Sequence, residues 1–247
     1  MGKIISFIGC KGGSGVTTLI AALGGELSDN GKSVCLLDAC VGLRGMDMIL
    51  GTQDQVVFDF YDLCEDICSM EQALISIKPS LYMIAAPQMD VSEELTDKKL
   101  GHLLSRLQKR FDYVLIDCPP VSSALCAQLV AQCDECVVIS VPGALASRNL
   151  ERVCSMIRET RDQPILHIAN FISSADEKAD AIKATADYLD ICLIGILPMQ
   201  EAIFMKTPGY EAWPNKLKAA VRDCAKRLNG EQIPWNTHHS WRLPWHS

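Results

Sequence analysis

A short apolar run, a glycine-rich stretch and a helical pattern follow one another near the start of the chain. The run KIISFIG (3–9) predicts a buried strand ending on glycine. The stretch CKGGSG (10–15) holds three glycines, and VTTLIAALGGELSDNG (16–31) has helical spacing with a stop signal at Asn30-Gly31. A strand, a glycine loop and a helix in this order surround an anion with backbone N–H groups and a helix N-terminus. The succession therefore predicts a phosphate-binding loop.

Apolar runs alternate with helical patterns along the rest of the chain. Strands are predicted at 33–38, 80–87, 113–120, 135–142, 163–171 and 191–198, and helices at 94–110, 122–133, 147–160, 176–189 and 212–228. Buried strands alternating with helices are typical of an α/β fold: a doubly wound, mostly parallel sheet flanked by helices. Right-handed crossovers bring the strand C-termini to one edge, where ligands bind. We predict one domain over residues 1–230 and a Trp/His-rich tail over 231–247.

The amino-acid composition limits which partners the protein is expected to bind and in which cellular compartment it is expected. The net charge of -7 argues against binding to a specific nucleic acid, which needs a basic surface. The basic residues within 98–110 are interpreted as a solvated helix face. No run reaches the ~18 to 20 apolar residues that span a bilayer, and no secretory signal is recognised. We therefore expect a cytoplasmic protein whose 12 cysteines are reduced.

The glycine-rich loop departs from the standard pattern G-x-x-x-x-G-K-[ST] at two positions. Cys10 stands in place of the first glycine, and Val16 stands in place of the lysine. The stretch CKGGSGVTT nevertheless matches a variant pattern, K-G-G-x-G-K-T-T, at every position except that lysine. The variant carries an additional early lysine, and Lys11 is present here.

Three further segments extend this match. They are LLDACVGLRGMDMILG (36–51), VVFDFYDL with QALI (within 56–75), and YVLIDCPP (113–120). Together with the loop, they resemble the MinD branch of the MinD/ParA family of deviant Walker A ATPases over most of residues 1–225. The first segment is similar to the family's switch I, and the last is similar to its Walker B strand and switch II.

The resemblance implies that ATP or ADP binds with Mg²⁺ between the subunits of a homodimer. Lys11 is implied to reach the partner's phosphates, Thr17 and Asp117 to bind Mg²⁺, and Asn170 to read adenine. The loop after Pro198 is implied to border the base, although PMQE lacks the usual acid. The implied phosphate-binding residues are Cys10, Lys11, Gly12, Gly13, Ser14, Gly15, Val16, Thr17 and Thr18.

Two substitutions concern hydrolysis. Val16 removes an ammonium group whose bond to phosphate is worth about 1.5–3 kcal/mol. Cys40 replaces the second aspartate of the D-x-D pattern that begins at Asp38, and a neutral thiol cannot orient water as a carboxylate does. Because phosphoryl transfer depends on positioned charge, these changes favour a switch that binds nucleotide but hydrolyses it poorly. An active ATPase that uses Lys11 alone and a nucleotide-independent adaptor remain as alternatives.

The resemblance also implies partners and location. We expect a homodimer that binds a protein of a positioning or assembly system, in the cytoplasm or peripherally at the inner face of the membrane. The family's usual C-terminal amphipathic helix is absent from the tail, because Pro234 and Pro244 interrupt it. Its tryptophans, Trp235, Trp241 and Trp245, are compatible with a lipid interface, a partner or the chain's own surface.

Cysteine-rich segments admit two interpretations. CDEC (133–136) and CEDIC (64–68) suit either a metal or redox site or a buried core, and the apolar run after Cys136 favours the core. Cys10, Cys40 and Cys118 each follow a predicted strand beside the phosphate loop. They are interpreted either as redox-sensitive thiols or, as we favour, as drift after catalytic constraint was lost.

Overall fold

A continuous eight-stranded sheet forms the centre of the computed structural model, which describes residues 1–88, 95–162, 164–173, 176–200 and 213–235. The strands are β1 (Lys3–Gly9), β2 (Val34–Asp38), β3 (Ile75–Lys78), β4 (Leu81–Ile84), β5 (Tyr113–Asp117), β6 (Glu135–Ser140), β7 (Ile165–Ile172) and β8 (Cys192–Pro198). Their spatial order is β3-β4-β2-β5-β1-β6-β7-β8. All neighbours pair in parallel except β3 and β4, which confirms the predicted mostly parallel sheet.

Helices cover both faces of this sheet. They are α1 (Val16–Asp29), α2 (Met46–Leu50), α3 (Phe60–Cys64), α4 (Met70–Ala73), α5 (Asp97–Arg110), α6 (Ala124–Gln132), α7 (Ala146–Thr160), α8 (Asp176–Tyr188) and α9 (Asn215–Leu228). A 3₁₀ turn spans Gln53–Gln55. No helix in the described ranges combines the length and apolar character needed to cross a bilayer.

The central strand β1 carries apolar side chains toward two separate cores. Ile5 and Phe7 pack into the core beneath α1 and α9, whereas Ile4 and Ile8 pack into the core beneath α5, α6 and α7. Alternation along a strand produces this division, because successive side chains point to opposite faces. Since both faces are apolar and covered, the doubly wound arrangement is confirmed.

Helix α1 lies very close to the sheet. A Cβ atom at Gly24 would stand 2.6 Å from Cδ2 of Leu36 on β2, so a larger residue there would require the Leu36 side chain to move. The helix begins at Val16, directly after the loop that follows β1 at the edge where the parallel strands end.

Several elements differ from the prediction. The antiparallel edge strand β3 was not predicted, because only Ile75 of its four residues is buried. The short helices α2, α3 and α4 were also missed, since each is at most five residues long. Predicted helices at 94–110 and 212–228 begin later, after Thr96 and Pro214, which are their N-caps. The division at residue 230 stays a prediction, because residues 236–247 lie outside the described residues.

Candidate nucleotide-binding site

The glycine-rich loop connects β1 to α1 at the C-terminal edge of the sheet. Gly13 and Gly15 adopt φ values of 73° and 82°, which L-residues with a Cβ rarely adopt. A Cβ atom at Gly12 or Gly13 would meet no described atom within 4 Å, so the backbone there is open to a ligand. The side chain of Ser14 is buried and bonds back to the backbone N–H and carbonyl of Lys11.

The first turn of α1 is suited to an anion. Its N-cap is Gly15, and no side chain among the described residues caps the helix. The first N–H groups of a helix lack intrahelical partners and carry partial positive charge. Together with the open loop, they form the kind of cradle that binds phosphate.

A cavity of about 530 Å³ opens onto this loop. That volume is within the range of ~300–1,000 Å³ that is usual for small-molecule sites. Residues 9–19 contribute one wall, and Cys40, Asp117 and Asn170 contribute polar groups. Apolar side chains also line the cavity, among them Leu43, Phe171, Leu197, Trp213 and Leu217. Leu43 belongs to the predicted switch I segment, whereas no local motif marks the other four, because they come from distant parts of the chain.

Asp117 is the best candidate for holding a cation. Its carboxylate is buried, and Oδ2 has no hydrogen-bond partner among the described residues. Burial raises the pKa of Asp117 to about 7, and a hydrogen bond from the Thr17 hydroxyl opposes that rise. Oxygen atoms are the ligands that Mg²⁺ prefers. A buried carboxylate oxygen without a hydrogen bond is unusual in proteins, and a bound cation would explain it. The predicted pair Thr17 and Asp117 therefore fits Mg²⁺.

Asp38 stabilises the conformation of the loop after β2 by accepting two backbone hydrogen bonds. Its Oδ1 accepts a hydrogen bond from the backbone N–H of Cys40 at 2.9 Å, and its Oδ2 accepts one from the N–H of Met46 at 3.2 Å. Burial raises the pKa of Asp38, and these two bonds oppose the rise. Ligand atoms of Asp38, Cys40 and Asp117 all lie within 4.8 Å of one another. The structure thus brings together the three acidic or thiol groups predicted from switch I and Walker B.

The Cys40 thiol points toward the end of β5. Its Sγ lies 3.4 Å from the carbonyl oxygen of Cys118 and 3.7 Å from that of Asp117. Burial, and then the neighbouring Asp117 and Asp38, raise the pKa of Cys40, so the thiol is neutral at pH 7. A neutral thiol cannot act as a general base toward water.

Asn170 lies at the end of β7 and faces the loop. Its Nδ2 donates a hydrogen bond to the carbonyl oxygen of Ser14 at 2.9 Å. Its Oδ1 accepts one from the backbone N–H of Phe171, also at 2.9 Å. The side chain therefore lines the cavity as expected, while its role in reading adenine stays a prediction.

Comparison with known proteins identifies the family of this fold and site. A family model described as an AAA domain matches residues 2–169, which is more than half of the chain. The septum site-determining protein MinD of Synechocystis sp. is 31% identical over 95% of this chain and 92% of its own length. The chain belongs to the MinD/ParA family of P-loop ATPases.

Other MinD proteins give the same result. MinD of Bacillus subtilis is 30% identical over 95% of this chain and 91% of its own length. The solved MinC:MinD cell division complex of Aquifex aeolicus has a TM-score of 0.81 and 29% identity, and it covers 94% of this chain and 98% of that chain. The predicted resemblance to the MinD/ParA family is thus confirmed.

The family's loop pattern has two lysine positions, which are occupied in this chain by Lys11 and Val16. The two positions differ in their surroundings. Lys11 is exposed at the mouth of the loop. Val16 is the first residue of α1 and packs against the core beneath that helix. A Cβ atom at Gly9 would come within 3.0 Å of Cγ2 of Val16, so the valine side chain lies directly over the end of β1. No charge replaces the lost ammonium at this position.

The cysteines around the site have raised pKa values. Cys10, Cys40 and Cys118 all line the cavity, as expected from their positions after strands. Burial raises the pKa of Cys10 to about 12, and a hydrogen bond with Cys126, followed by burial, raises the pKa of Cys118. Reactive cysteines have lowered pKa values, so this chemistry supports the interpretation that does not involve redox sensing.

The two cysteines of the CDEC segment lie in the core. Cys133 and Cys136 are both fully buried, with their Sγ atoms 3.5 Å apart, which confirms the predicted burial of Cys136. Across the described ranges, the only group of three or more clustered ligand atoms is Asp38, Cys40 and Asp117. CDEC and CEDIC therefore do not assemble a metal site there.

The first tryptophan of the tail docks on the chain's own surface. The Arg227 guanidinium lies 4.0 Å from the ring centroid of Trp235, within the range of a cation–π interaction. Arg227 also donates hydrogen bonds to the carbonyls of Ile194 at 3.0 Å and Pro234 at 3.2 Å. Trp241, Trp245 and Glu201 of PMQE lie outside the described residues, so the predictions for them are untested.

Proposed function

We propose that this chain is a MinD-like, nucleotide-responsive dimeric switch that binds ATP or ADP with Mg²⁺ but hydrolyses ATP poorly. The main support for the proposal is that one site keeps the groups for binding but lacks the groups for hydrolysis. The loop backbone, Thr17 and the unpaired Oδ2 of Asp117 are arranged for phosphate and Mg²⁺, whereas Val16 and the neutral Cys40 thiol occupy the positions that support chemistry.

Binding would rest on the loop and on Asp117. The N–H groups of residues 12–17 and the N-terminus of α1 hold the phosphates, and Thr17 with Asp117 holds Mg²⁺. When bound, Mg²⁺ would neutralise part of the phosphate charge. Without the ammonium at position 16, affinity is reduced by about 10- to 150-fold relative to a family member with lysine.

Hydrolysis would fail for two separate reasons. Val16 offers no charge to the phosphate oxygens, whose negative charge must be stabilised in the transition state. Cys40 presents a thiol hydrogen to Cys118 rather than a carboxylate to water. Two independent losses in the transition state predict a rate far below that of a complete site.

The relatives support a proposal for the cellular role. Proteins named for septum-site determination match nearly the whole chain, and a MinD protein has been solved in complex with MinC. We therefore propose a cytoplasmic role in positioning a larger assembly, such as the division apparatus, through a homodimer that presents a surface to a protein partner. The exposed Lys11 supports a site completed across a subunit interface.

Three measurements on the same preparation test this proposal. Calorimetry should show Mg²⁺-dependent binding of ATP and ADP, phosphate release should stay near background, and sedimentation should show dimerisation that requires ATP. Dimerisation indifferent to ATP, without nucleotide binding, would instead establish the adaptor. Sustained phosphate release at a rate usual for the family would establish an active ATPase.

A further inference from the structure

Two carboxylates and a thiol meet where β2 and β5 end. Asp38 is the last residue of β2, Asp117 is the last residue of β5, and the two pair with each other in the parallel register. Cys40 follows Asp38 by two residues, so its side chain also lies at the end of β5. One ligand atom from each of the three lies within 4.8 Å of the other two. The cluster therefore rests on the paired ends of two central strands.

The carboxylates of this cluster are buried without a neutralising partner. Asp38 and Asp117 are each 1% exposed, and Oδ2 of Asp117 has no hydrogen-bond partner among the described residues. Arg44, in the same loop as Cys40, directs its guanidinium to Asp47 at 2.5 Å instead. Buried charged groups in proteins are normally paired or coordinate a metal. The unpartnered oxygen of Asp117 thus indicates a place for a cation.

The thiol decides which cation suits the cluster. Mg²⁺ takes oxygen ligands in near-octahedral geometry, whereas thiolate ligands select zinc and other softer metals. Zinc sites with an open position combine three protein ligands from cysteine, histidine and carboxylate groups with one water molecule. Asp38, Cys40 and Asp117 supply such a set. An aspartate at position 40 would instead give three carboxylates, which suit harder cations.

The distances within the cluster require a modest adjustment. Tetrahedral zinc bonds of about 2.0–2.3 Å place the ligand atoms ~3.3–3.8 Å apart, so atoms now within 4.8 Å of one another must approach by at most ~1.5 Å. Rotation of the Cys40 side chain can provide this movement, with loss of the 3.4 Å contact between Sγ and the Cys118 carbonyl. Asp38 accepts hydrogen bonds from the N–H groups of Cys40 and Met46. Bonds of this kind orient carboxylates that bind metals.

We propose that Asp38, Cys40 and Asp117 form a Zn²⁺ site that binds the metal without nucleotide. On binding, the Cys40 thiol releases its proton to solvent and its sulfur bonds to zinc, because the thiolate is the metal ligand. The Mg²⁺ ion proposed to accompany nucleotide would use Asp117 with Thr17, so the two cations compete for Asp117. The zinc site does not rest on the proposed nucleotide binding, since its three side chains already lie together in the protein alone.

Co²⁺ and Zn²⁺ are the probes, added singly to reduced, nucleotide-free protein. Co²⁺ bound to a thiolate gives a sulfur-to-metal charge-transfer absorption in the near ultraviolet, which Mg²⁺ and Zn²⁺ do not give. We expect one equivalent of Co²⁺ to produce this absorption, one equivalent of Zn²⁺ to abolish it, and excess Mg²⁺ to leave it unchanged. An absence of the absorption in the wild-type protein would overturn the proposal.

Cys40→Ser tests the sulfur ligand. It should lose the cobalt absorption and weaken Zn²⁺ binding, measured by competition with a chromophoric chelator, by more than about 100-fold, since the loss of even an outer partner of a metal ligand costs 10- to 100-fold. Cys192→Ser is the control, because Cys192 is exposed and its thiol is readily accessible to adventitious metal. The control should keep the wild-type absorption and affinity. Absorption that persists in Cys40→Ser would assign the cobalt to other thiols and contradict the proposal.

Asp117→Asn tests a second ligand while keeping all 12 cysteines. It should also weaken Zn²⁺ binding, and it decides the matter if Cys40→Ser does not fold. Wild-type zinc affinity in Asp117→Asn would show that the metal binds elsewhere. These measurements contain no nucleotide, so they separate the two proposals. Zinc binding without any ATP or ADP binding would refute only the proposed function, and nucleotide binding without zinc binding would refute only the zinc site.

Discussion

The Cys40 thiol lies 3.4 Å from the carbonyl oxygen of Cys118, so it links the loop after β2 to the loop after β5. Both loops border the phosphate site, and in MinD/ParA proteins they correspond to the two switches. A carboxylate at position 40 would be repelled by that carbonyl oxygen, because it has no proton to donate. Cysteine in place of the family's aspartate therefore exchanges a group that can orient water for one that can bond the two loops to each other.

Replacing Cys40 by aspartate should therefore destabilise the free protein. The new carboxylate would face carbonyl oxygens and would lie near Asp38 and Asp117, which already raise the pKa of the thiol. We expect the free energy of unfolding to fall by ~1–3 kcal/mol, measured by urea denaturation. Cys40→Ser, which keeps a donor, is the control and should change stability much less. Equal stability of Cys40→Asp and wild type would contradict the proposed link.

Restoring the ammonium at position 16 should strengthen triphosphate binding. We expect Val16→Lys to raise the affinity for Mg-ATP by about 10- to 150-fold in calorimetry, because a charge-assisted bond to phosphate is regained. Val16→Met is the control for side-chain length without charge, and it should give no gain. An equal gain from methionine would show that packing, rather than charge, limits binding.

Turnover should require both missing groups. We expect the double variant Val16→Lys, Cys40→Asp to release phosphate faster than either single variant, because one group stabilises phosphate charge and the other orients water. The measurement is steady-state phosphate release at saturating Mg-ATP. A wild-type rate as high as that of the double variant would remove the basis for proposing impaired hydrolysis.

Asp117 should impose a stability cost that depends on pH. Its pKa rises from 3.8 to about 7 on folding, so the folded state binds more protons between those values and stability falls as pH increases. Asp117→Asn should therefore be more stable than wild type at pH 8, by ~2–4 kcal/mol, with the difference vanishing near pH 4. Mg²⁺ should no longer strengthen ADP binding to the variant. Retained Mg²⁺ dependence would exclude Asp117 as a ligand.

The contribution of His167 to the pH dependence of stability should have the opposite sign to that of Asp117. It is buried, its Nε2 lies 2.8 Å from Oγ of Ser140, and burial lowers its pKa from 6.5 to about 4. Because the folded state then binds fewer protons, stability should be lost as pH falls from 6.5 toward 4, by up to ~3 kcal/mol. In denaturation curves across this range, His167→Gln should abolish that loss relative to wild type. His102→Gln, at an exposed position on α5, should leave the loss intact.

The sequence predicted those parts of the site that depend on local order. The strand, the glycine loop and the helix were predicted from residues 3–31, and Asp117 was identified through the resemblance of residues 113–120 to the family's Walker B strand. The contribution of Phe171 and Trp213 to the cavity lining could not be predicted, because it depends on how β7 and α9 pack near the loop. The Asn170–Ser14 bond joins residues 156 positions apart, and no local pattern encodes such a contact. Strand β3 was missed because an edge strand needs only one buried face.

The contact between Arg227 and Trp235 has a practical consequence for labelling the protein. It holds residue 235 beside Ile194, near the start of β8, whereas the phosphate loop lies where the strands end. A fluorophore at residue 235 would therefore report from the edge of the sheet opposite the phosphate loop. Reporters of nucleotide exchange should be placed elsewhere.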